Sequence, residues 1–148
     1  MLLDYSHTYP DPKIRYHVSD MCLHLDSDAA YLVQPKARSR VVGHFYLSKR
    51  IPTIKTPNPK PNGPIHTEYK TVRNVMSSAV EAGTIGIFHK AKTAVPIRTT
   101  LQELGHQQLA TAIRTDNSTS HGILTSTIRQ KKSKAFDTNI YWIRDRIR

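Results

Sequence analysis

Apolar positions fall into short alternating runs in the first half of the chain and change to a helical spacing in the second. Residues 21–32, M-C-L-H-L-D-S-D-A-A-Y-L, predict a leucine-rich strand that carries Asp26 and Asp28 close together. A carboxylate in an apolar strand costs free energy unless a hydrogen-bond partner or a metal holds it, so chemistry is sought there first. A basic turn, Pro35-Lys36-Ala37-Arg38-Ser39-Arg40, leads to a second strand over 41–47, rich in β-branched and aromatic residues. Two strands joined so closely predict an antiparallel hairpin. The proline-rich stretch 51–64, which includes Asn62-Gly63, cannot be helical and predicts a surface loop, followed by a short third strand over 65–71.

The period changes at Ser78-Ala79-Val80-Glu81. This capping-box pattern opens a helix over 79–92, in which Glu81 is expected to reach back to the Ser78 backbone N–H. Gly83 and Gly86 lie inside it, each costing about 1 kcal/mol relative to alanine, so the helix must lean on tertiary packing. Pro96 suits the first turn of a second helix, with Ile97, Leu101 and Leu104 on one face and Gly105 as its stop. Residues 109–115 predict a fourth strand ending at Asp116, after which Asn117 and Ser118 are good caps for a short helix through Ile123 and Leu124. A basic turn over 129–134 leads to a last helix with Phe136, Ile140, Ile143 and Ile147 on one side. Residues 1–20, with the turn signature Tyr9-Pro10-Asp11-Pro12, read as a lead-in segment to one domain over 21–148. The expected class is α/β, a mixed sheet with flanking helices.

Charge narrows the partner. Lys and Arg number 22 against 11 Asp and Glu, a net charge of +11 in 148 residues, which favours a polyanion and nucleic acid first. Lys36, Arg38 and Arg40 in the first basic turn, and Arg129, Lys131, Lys132 and Lys134 in the second, are the candidates for phosphate contact, with a solvated charged turn the equal alternative. The single Cys22 excludes an internal disulfide and fits a reducing, intracellular setting. No apolar run approaches the ~20 residues that a membrane span needs. The histidines show no metal-ligand spacing, and there is no phosphate loop or nucleophile elbow.

Asp28 and Asp116, both near strand ends, can together hold Mg²⁺ of the kind used in phosphodiester hydrolysis, although an Asp at a strand end is more often a cap or turn former. The stretch S-D-A-A-Y-L-V-Q-P-K-A-R-S-R-V-V-G-H-F-Y-L-S from Ser27 resembles the ribonuclease H domain of copia-type retrotransposon polyproteins. The similarity continues through N-V-M-S-S-A-V-E-A-G from Asn74, T-D-N-S-T from Thr115 and K-A-F-D-T-N-I-Y-W-I-R-D-R from Lys134, and residues 1–20 resemble the segment joining the reverse transcriptase to that domain.

This resemblance implies a ribonuclease H-like mixed sheet, three antiparallel strands and then a parallel one, incomplete at the C-terminus. It implies Mg²⁺-dependent cleavage of the RNA strand of RNA/DNA hybrids by four acidic residues. The first carries over onto Asp28, with Asp26 as the alternative register, and the third onto Asp116. The second falls on Gly83, and the fourth belongs to a helix beyond Arg148. Glu81 is a doubtful substitute, because two residues along a helix is a rotation of about 200°. Asp137 sits at a recognisable family position but is expected to face solvent or the basic turn. The implied activity is therefore impaired, with weakened Mg²⁺ binding and retained hybrid binding; the alternatives are an active enzyme using Glu81, or a non-catalytic nucleic-acid-binding protein or decayed reading frame. The resemblance further implies self-association through an uncovered edge at the fourth strand. It also implies that Gly83→Glu would return a ligand and tighten the helix.

Overall fold

Alternating side chains pair the first three strands in chain order. The structure is a computed structural model that describes residues 2–50, 60–125 and 134–147. A seven-residue helix, α1 (Leu2–Thr8), precedes β1 (Cys22–Gln34), β2 (Arg38–Ser48) and β3 (Pro64–Val75). β1 pairs with β2 and β2 with β3, both antiparallel; β1 starts one residue later than expected and ends two later, while β2 and β3 extend past their expected limits at both ends. Lys36 and Ala37 at the hairpin tip have φ of 62° and 51°. Such left-handed conformations cost a non-glycine residue roughly 1–2 kcal/mol. The tip is thus a tight turn that holds Lys36 exposed at its apex.

The two helices expected over 79–92 and 96–104 are one, α2 (Ala79–Glu103), with Pro96 inside it. Proline has no N–H to give the carbonyl four residues back, a defect of roughly 3 kcal/mol in a helix interior. Packing on both sides of Pro96 offsets it: Ala94 and Leu101 are buried in the same cluster as Leu23, Leu25 and Phe45, and Ile97 packs against that cluster. Nearer its start, Ala82 and Ile85 meet Val41, Val72 and Met76, while Ile87 meets Ile123, Leu124, Ile140 and Ile143. The stop at Gly105 is as expected. Its φ is +87°, and the His106 and Gly105 N–H groups donate to the Leu101 and Gln102 carbonyls, which closes the helix as a Schellman turn.

The fourth strand, expected over 109–115, shortens to β4 (Ala112–Arg114), parallel to β1 at the end of the order β3-β2-β1-β4. Ahead of β4 the side chain of Gln108 substitutes for ladder backbone. Its Oε1 accepts from the Leu23 N–H at 2.9 Å and its Nε2 donates to the Met21 carbonyl at 2.8 Å. α3 (Ser118–Leu124), capped by Asn117, and α4 (Lys134–Ile147) then pack on α2. Trp142 on α4 meets Phe88 edge-on at 5.2 Å against the core. Among the described residues no helix is long and apolar enough to cross a membrane.

Burial reaches two histidines. His24, which donates from Nε2 to the Lys49 carbonyl, and His89 on α2 are both held below the ordinary imidazole value of 6.5, chiefly by burial. Between the folded value and 6.5 the unfolded chain binds more protons, so stability falls as pH falls through that window. The unfolding free energy from urea denaturation is expected to drop between about pH 7.5 and 5.5, by at most about 1.4 kcal/mol per pH unit for each proton, with the midpoint falling in step, and His89→Gln should flatten the curve. A wild-type midpoint constant over that range would contradict this.

Candidate functional site

The site begins with the alternation of β1. Leu23, Leu25 and Ser27 turn toward α2, which leaves His24, Asp26 and Asp28 on the opposite face of the sheet. Pairing sets their neighbours: Asp26 lies beside His44 on β2 and Arg114 on β4, Asp28 beside Val42, and His24 beside Tyr46. Because β4 runs parallel to β1, its outgoing end brings Thr115 and Asp116 to the same mouth as Asp28. A pocket of about 360 Å³ there is lined by Asp26, Ser27, Asp28, Val42, His44, Arg114, Thr115 and Asp116.

The two aspartates of β1 differ in what they hold. Asp26 takes the Arg114 guanidinium with both oxygens, at 2.5 Å from Nε and 2.6 Å from Nη2, and His44 Nδ1 is 3.9 Å away. That bidentate bond raises the Arg114 pKa further. Below the pair lies Tyr46, fully buried, between the rings of His24 and His44. Burial, reinforced by the Asp26 charge, pushes its phenol up to about 12. Asp28 is exposed, with Oδ1 accepting its neighbour's Ala29 N–H at 2.6 Å, and Asp116 is exposed as well.

Glu81 is engaged elsewhere. Its Oε2 accepts from the Ser77 N–H at 2.7 Å and the Ser77 hydroxyl at 2.8 Å, one residue earlier than the expected Ser78 N–H, while Ser78 Oγ accepts from the Glu81 N–H as predicted. It therefore serves the helix start. Gly83 is walled in: a Cβ there would lie 2.8 Å from both Asn117 Nδ2 and Ser120 Oγ. These atoms are themselves committed, Asn117 capping α3 through Ser120 N–H and Ser120 donating to the Val80 carbonyl. The expected tightening by Gly83→Glu is thus corrected, because the missing side chain is what lets α3 dock on α2.

The donor set for Mg²⁺ reduces to Asp28 and Asp116. Asp26 is neutralised by Arg114, Glu81 is a cap, and among the described residues no group of three His, Cys, Asp or Glu is arranged to hold a metal. Two carboxylates fit one water-rich Mg²⁺ and do not fit a two-ion centre, which needs more anionic oxygen.

The basic candidates are distributed unevenly. Lys36 is at the hairpin tip and Arg38 is half-buried, whereas Arg40 lays its guanidinium 4.3 Å over the exposed Tyr69 ring on the same sheet face as the pocket. Arg129, Lys131 and Lys132 lie outside the described residues, as does the Lys134 side chain. Asp137 is half-buried in the first turn of α4, where the helix dipole favours an acid, and does not line the pocket. Sequence reading passed over Arg114, His44 and Tyr46; the available signal was a lone arginine within a predicted apolar strand. The chain matches no family model, no curated protein and no solved structure.

Proposed function

We propose that the chain is a ribonuclease H-like domain of the copia type that binds RNA/DNA hybrid and lacks efficient cleavage. One observation carries the reading: a parallel β4 beside β1, at the end of a three-stranded antiparallel sheet, opens Asp28 and Asp116 into one pocket. The net charge of +11 and the basic hairpin tip at Lys36 support phosphate affinity that does not depend on base identity. Mg²⁺ would be held weakly by Asp28 and Asp116, and its chemistry, when bound, is polarisation of a phosphate and activation of water. The third carboxylate of the pocket, Asp26, is held by Arg114, and among the described residues no other is placed to orient a second ion.

Fluorescence anisotropy with a labelled hybrid tests the binding. Affinity should show little sequence preference and fall steeply with salt, the slope of log K against log salt being roughly 0.9 per neutralised phosphate if the hybrid behaves as duplex DNA. The same protein with Mg²⁺ should cleave hybrid at background rate. Affinity unchanged between low and moderate salt would remove the binding reading, and robust cleavage abolished by Asp28→Asn would replace it with an active nuclease.

A further inference from the structure

The sheet face turned away from α2 carries a second patch beside the pocket of Asp28 and Asp116. On β2 the burial of Ser39 and Val41 turns Arg38 and Arg40 to that face, and on β3 the burial of Val72 in the same cluster as Val41 turns Thr71 and Arg73 outward. Register places Asp28, Val42 and Tyr69 in one row across the three strands, with Ala30, Arg40 and Thr71 in the next. Tyr69 is therefore two strand spacings from Asp28, roughly 10 Å. Patch and pocket are neighbours on one surface.

The charges of the patch are not spent within the chain. Tyr69 is 57% exposed, and Arg40 Cζ lies 4.3 Å from its ring centroid. Such stacking uses the flat face of the guanidinium and leaves its charge and in-plane N–H groups free. Arg40 Nε is buried without a hydrogen-bond partner, and among the described residues no carboxylate pairs with Arg38, Arg40 or Arg73. An open aromatic ring among three unneutralised guanidinium groups is complementary to a ligand with a flat π face and negative charge, which is a nucleotide unit. A base within a duplex already has both faces stacked, so a ring standing on a sheet engages an unpaired base.

We propose that this face seats an unpaired nucleotide, its base stacked on the Tyr69 ring and its phosphates beside Arg38, Arg40 and Arg73, on a strand that runs on from the duplex at Asp28 and Asp116. The proposed site rests on the nucleic-acid reading of that pocket and extends it to a single-stranded segment. Arg40 supports the ring from one side, so it is positioned before a base arrives. Every base has a π face, so the site takes any of them.

Fluorescence anisotropy of the full chain, freed of nucleic acid, is the test. The labelled probes are a blunt RNA/DNA hybrid, the same hybrid with a short single-stranded extension at each end in turn, those extensions in abasic form, and the single strand alone. Abasic extensions carry the same phosphates, so the difference isolates stacking. For at least one end the base-bearing extension should bind wild type about fivefold or more tightly than its abasic form, the low end of the gain from one base on an aromatic ring. Tyr69→Thr keeps a strand-forming residue at an exposed position; it should abolish that gain and leave blunt-hybrid affinity within about twofold, whereas Tyr69→Phe should retain the gain. Equal affinities for base-bearing and abasic extensions at every end overturn the proposal, as does a Tyr69→Thr loss shared equally by the blunt hybrid. If blunt hybrid does not bind while the single strand binds in a Tyr69-dependent way, the hybrid reading falls and this site stands; if no probe binds, both fall.

Discussion

Glu68→Ala should destabilise the protein by about 3 kcal/mol, whereas Lys90→Met should cost little, although the two residues form one ion pair. Lys90 is completely buried on α2, its stem lying on Gly43, where a Cβ would be 2.6 Å from Lys90 Cδ. Its Nζ is 3.3 Å from Glu68 on β3 and makes no hydrogen bond. Burial pushes the lysine below its ordinary value against the pull of Glu68. Burial also raises the Glu68 carboxyl, but the Thr93 hydroxyl, which donates to it at 2.8 Å, and the Lys90 charge more than offset this and bring it below the ordinary value.

The asymmetry follows from what each substitution leaves behind. Without Glu68 an ammonium is stranded in the interior; without Lys90 a partly exposed carboxylate keeps Thr93, and methionine fills the space with an apolar chain of similar length. The double variant should regain most of the loss. The sign with pH is also fixed. Removing Glu68 lowers the folded-state value of Lys90 further, the unfolded chain then binds more protons over a wider alkaline window, and the deficit of Glu68→Ala should shrink as pH rises toward 9 (about one and a half units below the ordinary lysine value). Urea midpoints at constant m-value measure all four proteins. Equal losses for the two single variants would mean that the pair is a stabilising bond rather than a buried charge kept tolerable.

Local pattern carried the sheet further than the helices. Alternation in residues 21–32 and 41–47 made the β1–β2 hairpin legible, because period two with one buried face has few other solutions. Pro96 misled for the opposite reason: its local rule was sound, but the burial of Ala94, Ile97 and Leu101 against β1 and β2 is a long-range fact that the segment does not carry. The fourth strand was read too long because 109–111 are compatible with a strand, and only the capture of Leu23 and Met21 by Gln108 shows that side chain, not backbone, completes the pairing there. The same limit applied at the site. Asp26 and Asp28 share one face and could not be told apart until Arg114 was placed opposite Asp26. Lys90 gave no signal at all, since a lysine in a helix reads as solvated unless Gly43 is known to lie beneath it.

Gly83→Ala should lower stability, although helix propensity alone gives a gain of about 1 kcal/mol for removing a helix-interior glycine. The deciding quantity is the 2.8 Å separation between a Cβ at that position and both Asn117 Nδ2 and Ser120 Oγ. Neither atom is free to retreat without loss, because Asn117 also reaches the Ala79 carbonyl and Ser120 holds Val80, and these contacts join α3 to the first turn of α2. Overpacking of this kind costs about 1–3 kcal/mol, which outweighs the propensity gain. Gly83→Glu should lose at least as much, and it should leave Mg²⁺-dependent hybrid cleavage at background, since the added carboxylate arrives only with displacement of the segment that follows Asp116. Trimming the obstacle separates sterics from propensity: in a Ser120→Gly background, itself weakened by loss of the Val80 bond, Gly83→Ala should become less costly than in the wild type. Urea denaturation and a hybrid cleavage assay on the same preparations decide the matter. A stability gain near 1 kcal/mol for Gly83→Ala would show that α3 yields easily, and cleavage by Gly83→Glu would show that a single carboxylate was all the site lacked.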